Sequence, residues 1–290
     1  MRRLFSRRPP SAVALIGVRD AHTSAPVTLR CASALAAMGR RTVVIDACQG
    51  DDSIADMLGL ASARDFAQVL RGEASLAQIM VEAGDGVHIL PAARAARPAE
   101  HRTPAARQAL ERAIQELSAA ADIVVVHAAG VTSQESSLIA TAARRTVYCV
   151  PTDAEGITAA YRLLKRMASR PGRHAAGALM VDGATAATAR AAFENMRSLA
   201  AARLGLTLDW VGWLPGATLH CSVSGRRSGS IDESWTGLAR LLTGVPRDRT
   251  PRRKNDVVRF GSLWRDWRAK DMLARPPGAE SLTRHAQVEI

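Results

Sequence analysis

Residues 12–48 read AVALIGVRDAHTSAPVTLRCASALAAMGRRTVVIDAC, and the period of the apolar residues changes twice along them. Residues 12–17 form a near-continuous apolar run, the pattern of a strand buried on both faces. Residues 25–38 carry Ala, Leu and Cys at helical spacing. Thr23 and Ser24 are placed to cap that helix, and Pro26 suits its first turn. Residues 42–46 return to an apolar, β-branched run that ends on Asp46. Two such strands joined by one helix predict a parallel pair with a crossover connection.

The alternation continues on the carboxyl side. Further strands are expected at 87–90, 122–127, 146–150, 176–181 and 208–214, and further helices at 64–70, 75–81, 104–120, 134–143, 155–169, 185–203 and 232–242. The fold class is therefore α/β, a mostly parallel sheet flanked by helices with right-handed crossovers. A site would lie in the polar loops at the carboxyl ends of the strands. No internal repeat is visible.

The chain has 290 residues, 39 Lys+Arg and 27 Asp+Glu, and a net charge of +12. The charge is uneven. A basic arm at 1–10 carries Arg2, Arg3, Arg7 and Arg8, the body at 11–245 is nearly balanced, and 246–290 is again basic. That last region opens with the Pro/Arg linker PRDRTPRRKND. It continues with Val257, Phe260, Trp264 and Trp267 at spacings of three and four, with Arg265 and Arg268 among them. An amphipathic helix at 256–273 is expected there, able to contact an anionic membrane surface or a protein partner. A disordered end is expected at 275–290. Because the excess charge sits on appendages, specific nucleic-acid binding is not expected. The four cysteines have no metal-type spacing, and no secretion signal or membrane-spanning run is present, so a reduced, cytoplasmic protein is expected.

The loop after the first strand occupies the place of a phosphate-binding loop. Such a loop needs glycines for close backbone approach, a lysine for the phosphate oxygens and a Ser/Thr hydroxyl for magnesium. Here no glycine follows Gly17 before the helix, and the only lysines are Lys165, Lys254 and Lys270.

Residues 12–245 resemble the MinD/ParA group of deviant Walker-A ATPases. The group's loop, GKGGVGKT, falls without gaps on Val18, Arg19, Asp20, Ala21, His22, Thr23, Ser24 and Ala25. Arg19 takes the place of the signature lysine, Ser24 of the second lysine and Ala25 of the magnesium-binding threonine. VVIDACQGDDSIADMLGL is similar to the group's strand and switch segment. There Asp46 is kept, and Cys48 replaces the aspartate used near the attacking water. VVVHAAG resembles the third element, with His127 in the aspartate's place and Gly130 retained. The resemblance implies ATP and magnesium as cofactors, but the altered groups are the ones phosphoryl transfer uses. No ordinary ATPase activity and no cofactor are therefore expected. Arg19 is expected to be a solvated loop residue, with a phosphate contact as the alternative. Asp46 is expected to cap a turn, and His127 to make one backbone hydrogen bond, with a general-base role as the alternative. Cys48 is expected to be a packed small residue rather than a nucleophile.

Within the group, residues 65–92, 151–167 and 189–215 are similar to the FlhG (FleN) branch, which regulates flagellar number and placement. The resemblance implies an antiactivator with an FlhF-like GTPase or a flagellar transcription activator as partner, a possible homodimer, and attachment to the inner membrane through the C-terminal helix. Arg2-Arg3-Leu4-Phe5 resembles the tail of the branch's activating helix, without its preceding Asp-Gln-Ala part. Three other readings stay open. GVR (17–19) and VIDAC (44–48) resemble BcsQ, a factor in cellulose secretion. A ParA-like protein could bind DNA non-specifically through arginines. An active ATPase could use a rearranged site of Arg19, Asp46 and His127.

Overall fold

The computed structural model describes residues 11–19, 23–60, 64–84, 86–95, 104–129, 143, 145–169, 175–216 and 233–243. The basic arm, Gly130, the expected helix at 134–143 apart from Ala143, and everything after 243 lie outside the described residues. So do Val257, Phe260, Trp264, Arg265, Trp267 and Arg268.

Eight strands form one sheet: β1 (Ser11–Gly17), β2 (Thr42–Asp46), β3 (Val81–Glu82), β4 (Val87–Pro91), β5 (Ile123–Ala129), β6 (Arg145–Pro151), β7 (Ala175–Val181) and β8 (Thr207–Leu214). Their order is β3-β4-β2-β5-β1-β6-β7-β8. Every described pairing is parallel except β3 with β4, which is antiparallel. The chain winds leftward from β1 to β2 and later rightward to β6, so the order switches direction around β1. In open α/β sheets a crevice forms at the carboxyl ends beside such a switch.

Eight described α-helices accompany the sheet: α1 (Ser24–Ala37), α2 (Ile54–Met57), α3 (Phe66–Leu70), α4 (Leu76–Ile79), α5 (Pro104–Ala120), α6 (Ala154–Ala168), α7 (Ala186–Leu204) and α8 (Glu233–Thr243). The expected elements in the described residues are all present, with ends displaced by up to two residues. Three elements go beyond the sequence expectation: β3, α2 and a 3-10 turn at Gly50–Asp52. Residues 50–57, GDDSIADM, carry no strand or helix expectation. The helical turn forms because Ser53 caps it, its hydroxyl accepting from the Asp56 amide at 3.3 Å.

Alternation along the strands decides which face each side chain joins. Val13, Leu15, Val44, Val125, Val147 and Cys149 face α1 and α8, where Leu35, Trp235 and Leu238 complete the cluster. Ala14, Val43, Ile45, Val124 and Val126 face the opposite way, onto Phe66, Leu76 and Leu117 of α3, α4 and α5. Under β6 and β7 that second face is covered by Leu163, Leu164, Phe193 and Met196 of α6 and α7. The central strands are buried on both sides, which explains their continuous apolar runs. Cys31, Cys48 and Cys149 are free thiols. Burial pushes Cys149 up to about 12 and Cys31 higher still.

Candidate functional site

Asp46 and His127 follow the parity of Val44 and Val125, so both point to the α1 face. The parallel register of β2 and β5 sets them directly opposite one another. Ser24 opens α1, which follows the loop after β1. The three side chains meet at the carboxyl edge of the sheet, and all three residues are 0% exposed.

His127 Nδ1 lies 3.0 Å from Asp46 Oδ1, and His127 Nε2 lies 3.0 Å from Ser24 Oγ. A carboxylate only accepts, so Nδ1 carries the proton toward Asp46. In the neutral ring, Nε2 then accepts from the Ser24 hydroxyl. The other carboxylate oxygen, Asp46 Oδ2, accepts from the Ser53 hydroxyl at 2.8 Å, the Ile54 amide at 2.7 Å and the Ala55 amide at 3.3 Å. The Cys48 amide donates to Oδ1 at 3.3 Å. Asp46 therefore caps the 53–55 turn as expected and also grips the imidazole.

This chain of bonds corrects one expectation. His127 does not end its strand with one backbone bond, because register and parity aim its ring at two side-chain partners. Cys48 is buried at 9% exposure, in keeping with a packed small residue, and its sulfur lies within 4.8 Å of ligand-type atoms of Asp46 and His127. The Ala129 amide bonds to that sulfur; burial first, then Asp46 and Asp52, push the thiol well above its usual range. Residues 81 positions apart in sequence meet here, so spacing alone gave no signal. The usable signal was the pairing of the strand ends.

Arg19 also departs from expectation. Its guanidinium donates to Asp153 Oδ2 at 2.9 Å and reaches Glu155 Oε2 at 3.5 Å, with 30% of the side chain exposed. It is tied to the start of α6 rather than solvated in the loop. Asp46 and His127 come together, while the described partners of Arg19 are these two acids. Thr23 occupies the position before α1 in a helical conformation, and its side chain makes no cap bond. Ala25 is fully buried in the first turn and offers no hydroxyl at the place where the resemblance puts the magnesium ligand.

No family model matches the chain. The antiactivator FleN of Pseudomonas aeruginosa is 28% identical over 216 residues, which are 74% of this chain and 77% of that protein. The cell division protein MinD of Aquifex aeolicus superposes with a TM-score of 0.60 at 15% identity, covering 81% of this chain and 98% of that one. A ParA family ATPase of Chlorobium tepidum gives 0.51 at 12% identity, covering 88% and 99%. At those identities the structures speak for the fold alone, and the sequence likeness is to FleN. The chain has the fold of the MinD and ParA ATPases and is similar in sequence to the antiactivator FleN.

Proposed function

We propose that the chain is a regulator of flagellar number or placement, an antiactivator that works by binding a protein partner rather than by turning over ATP. The similarity to FleN across three quarters of the chain supports the regulatory part. The non-catalytic part is supported by the buried Ser24–His127–Asp46 chain. Phosphoryl transfer relies on a lysine, a magnesium-holding hydroxyl and free carboxylates. Here the lysine positions are Arg19 and Ser24, the hydroxyl position is Ala25, and Asp46 is committed to neighbouring donors. This donor set does not fit magnesium–ATP. Binding would then be constitutive, without nucleotide-driven dimerisation. The partner class is an FlhF-like GTPase or a flagellar transcription activator, met in the cytoplasm. The basic tail at 246–290 would add contact with an anionic inner-membrane surface. No helix among the described residues is long and apolar enough to cross a membrane.

Two measurements test this together. Deleting the gene in the source organism is expected to raise the number of flagella per cell, and unchanged flagellation with lost cellulose secretion would favour the BcsQ-like reading. Calorimetric titration of ATP with magnesium is expected to show no saturable heat, and sedimentation no ATP-dependent dimer. Micromolar binding with phosphate release would establish the rearranged-ATPase reading instead.

A further inference from the structure

We propose that Asp46, Cys48 and His127 form a site for a divalent transition ion of the zinc class. The proposal is independent of the flagellar reading. It rests on a carboxylate, a thiol and an imidazole whose ligand atoms all lie within 4.8 Å of one another. Carboxylate, thiolate and imidazole together suit zinc or cobalt better than magnesium, which prefers oxygen ligands throughout.

The distances are close to those an ion would impose. A tetrahedral zinc at roughly 2.0–2.1 Å from nitrogen and oxygen ligands holds those two atoms about 3.3 Å apart. His127 Nδ1 and Asp46 Oδ1 stand 3.0 Å apart, so a few tenths of an ångström of opening admits the ion between them. The sulfur, within 4.8 Å of those atoms, has to close in to reach roughly 2.3 Å from the metal. Cys48 sits on the connection just past β2, outside the sheet's backbone ladder, where a small shift is cheap.

The surroundings are those of a supported site. Asp46 Oδ2 is anchored by Ser53, Ile54 and Ala55, which leaves Oδ1 as the ligand atom. Ser24 Oγ lies 3.0 Å from His127 Nε2, the position of the outer hydrogen bond that orients a ligating imidazole. The Ala129 amide already donates to the Cys48 sulfur. Charge also balances: one carboxylate, one thiolate and one neutral imidazole cancel a divalent ion in a buried place. Binding moves the imidazole proton from Nδ1 to Nε2, where Ser24 Oγ accepts its hydrogen bond, and releases the thiol proton to solvent. The fourth position is left to water.

The test is a Co²⁺ titration of the full-length, untagged, chelator-treated protein, read by absorbance. One equivalent is expected to produce a near-ultraviolet thiolate-to-cobalt band together with visible d–d bands, and Zn²⁺ is expected to bleach both. In Cys48→Ser the thiolate band disappears and affinity falls by about tenfold or more. His127→Gln should lower affinity similarly; if that variant does not fold, Cys48→Ser decides alone. A wild-type protein that develops no thiolate band overturns the site, as does a band that survives unchanged in Cys48→Ser.

Discussion

His127 and Asp46 are neighbours across the β2–β5 register, joined at 3.0 Å with neither side chain exposed. Removing one partner of such a buried pair leaves the other polar group unsatisfied, which costs most. Asp46 accepts from Ser53, Ile54, Ala55, Cys48 and His127. Asp46→Ala strands those donors at once and is expected to cost about 3–5 kcal/mol. Ser24→Ala removes one hydroxyl from the end of the chain and should cost about 1 kcal/mol. Urea denaturation of both variants gives the two values. A cost below about 1 kcal/mol for Asp46→Ala would mean that the network does not hold the sheet edge together.

The strands and longer helices are legible in the sequence because period and burial agree along them. Residues 42–46 alternate between two buried faces and therefore read as one apolar run, and residues 104–120 match their helix end to end. Ser24 and His127 can be singled out as replacements in known motifs, and Asp46 as a retained carboxylate. Their mutual bonds cannot, because contact depends on register between β2 and β5 and on where α1 starts. Arg19 departs from its expected solvated state for the same reason. Its partners Asp153 and Glu155 come from the start of α6, more than 130 positions away in sequence.

Arg19 and Asp153 should respond unequally to substitution. Their ion pair is partly exposed, and such pairs contribute about 0–1 kcal/mol. Asp153 also caps α6, because its other oxygen accepts from the Gly156 amide at 2.6 Å. Caps are worth about 1 kcal/mol. Asp153→Ala should therefore destabilise more than Arg19→Ala, by about the value of the cap. Thermal or urea unfolding of the two variants and the double variant separates the contributions, and equal losses would remove the capping role.

Gly177 on β7 has no room for a side chain. A Cβ there would stand 2.7 Å from Val211 Cγ2 and 3.0 Å from Val147 Cγ2, both on the neighbouring strands. These are branched side chains in a packed interior, so neither retreats without displacing others. Gly177→Ala is expected to cost about 1–3 kcal/mol by overpacking. Gly177→Ala combined with Val211→Ala should recover part of the loss, since the closest obstacle is gone. No recovery in that double variant would locate the strain in the backbone instead.

His88 supplies a pH dependence with a definite sign. It is 7% exposed on β4, and burial lowers its imidazole below the ordinary value of 6.5, while Glu82 across the β3–β4 pair and the Gly86 backbone oppose that shift. The folded chain thus resists the proton that the unfolded chain takes up. Its contribution to stability is complete above 6.5 and is lost as pH falls from there through the lowered folded value. Wild-type protein should lose stability between about pH 7.5 and about pH 5, and His88→Gln should lose less over the same interval because it has nothing to protonate. Urea midpoints at the two pH values, compared between the proteins, isolate this residue from the other histidines. Parallel losses in both would show that the acid sensitivity arises elsewhere.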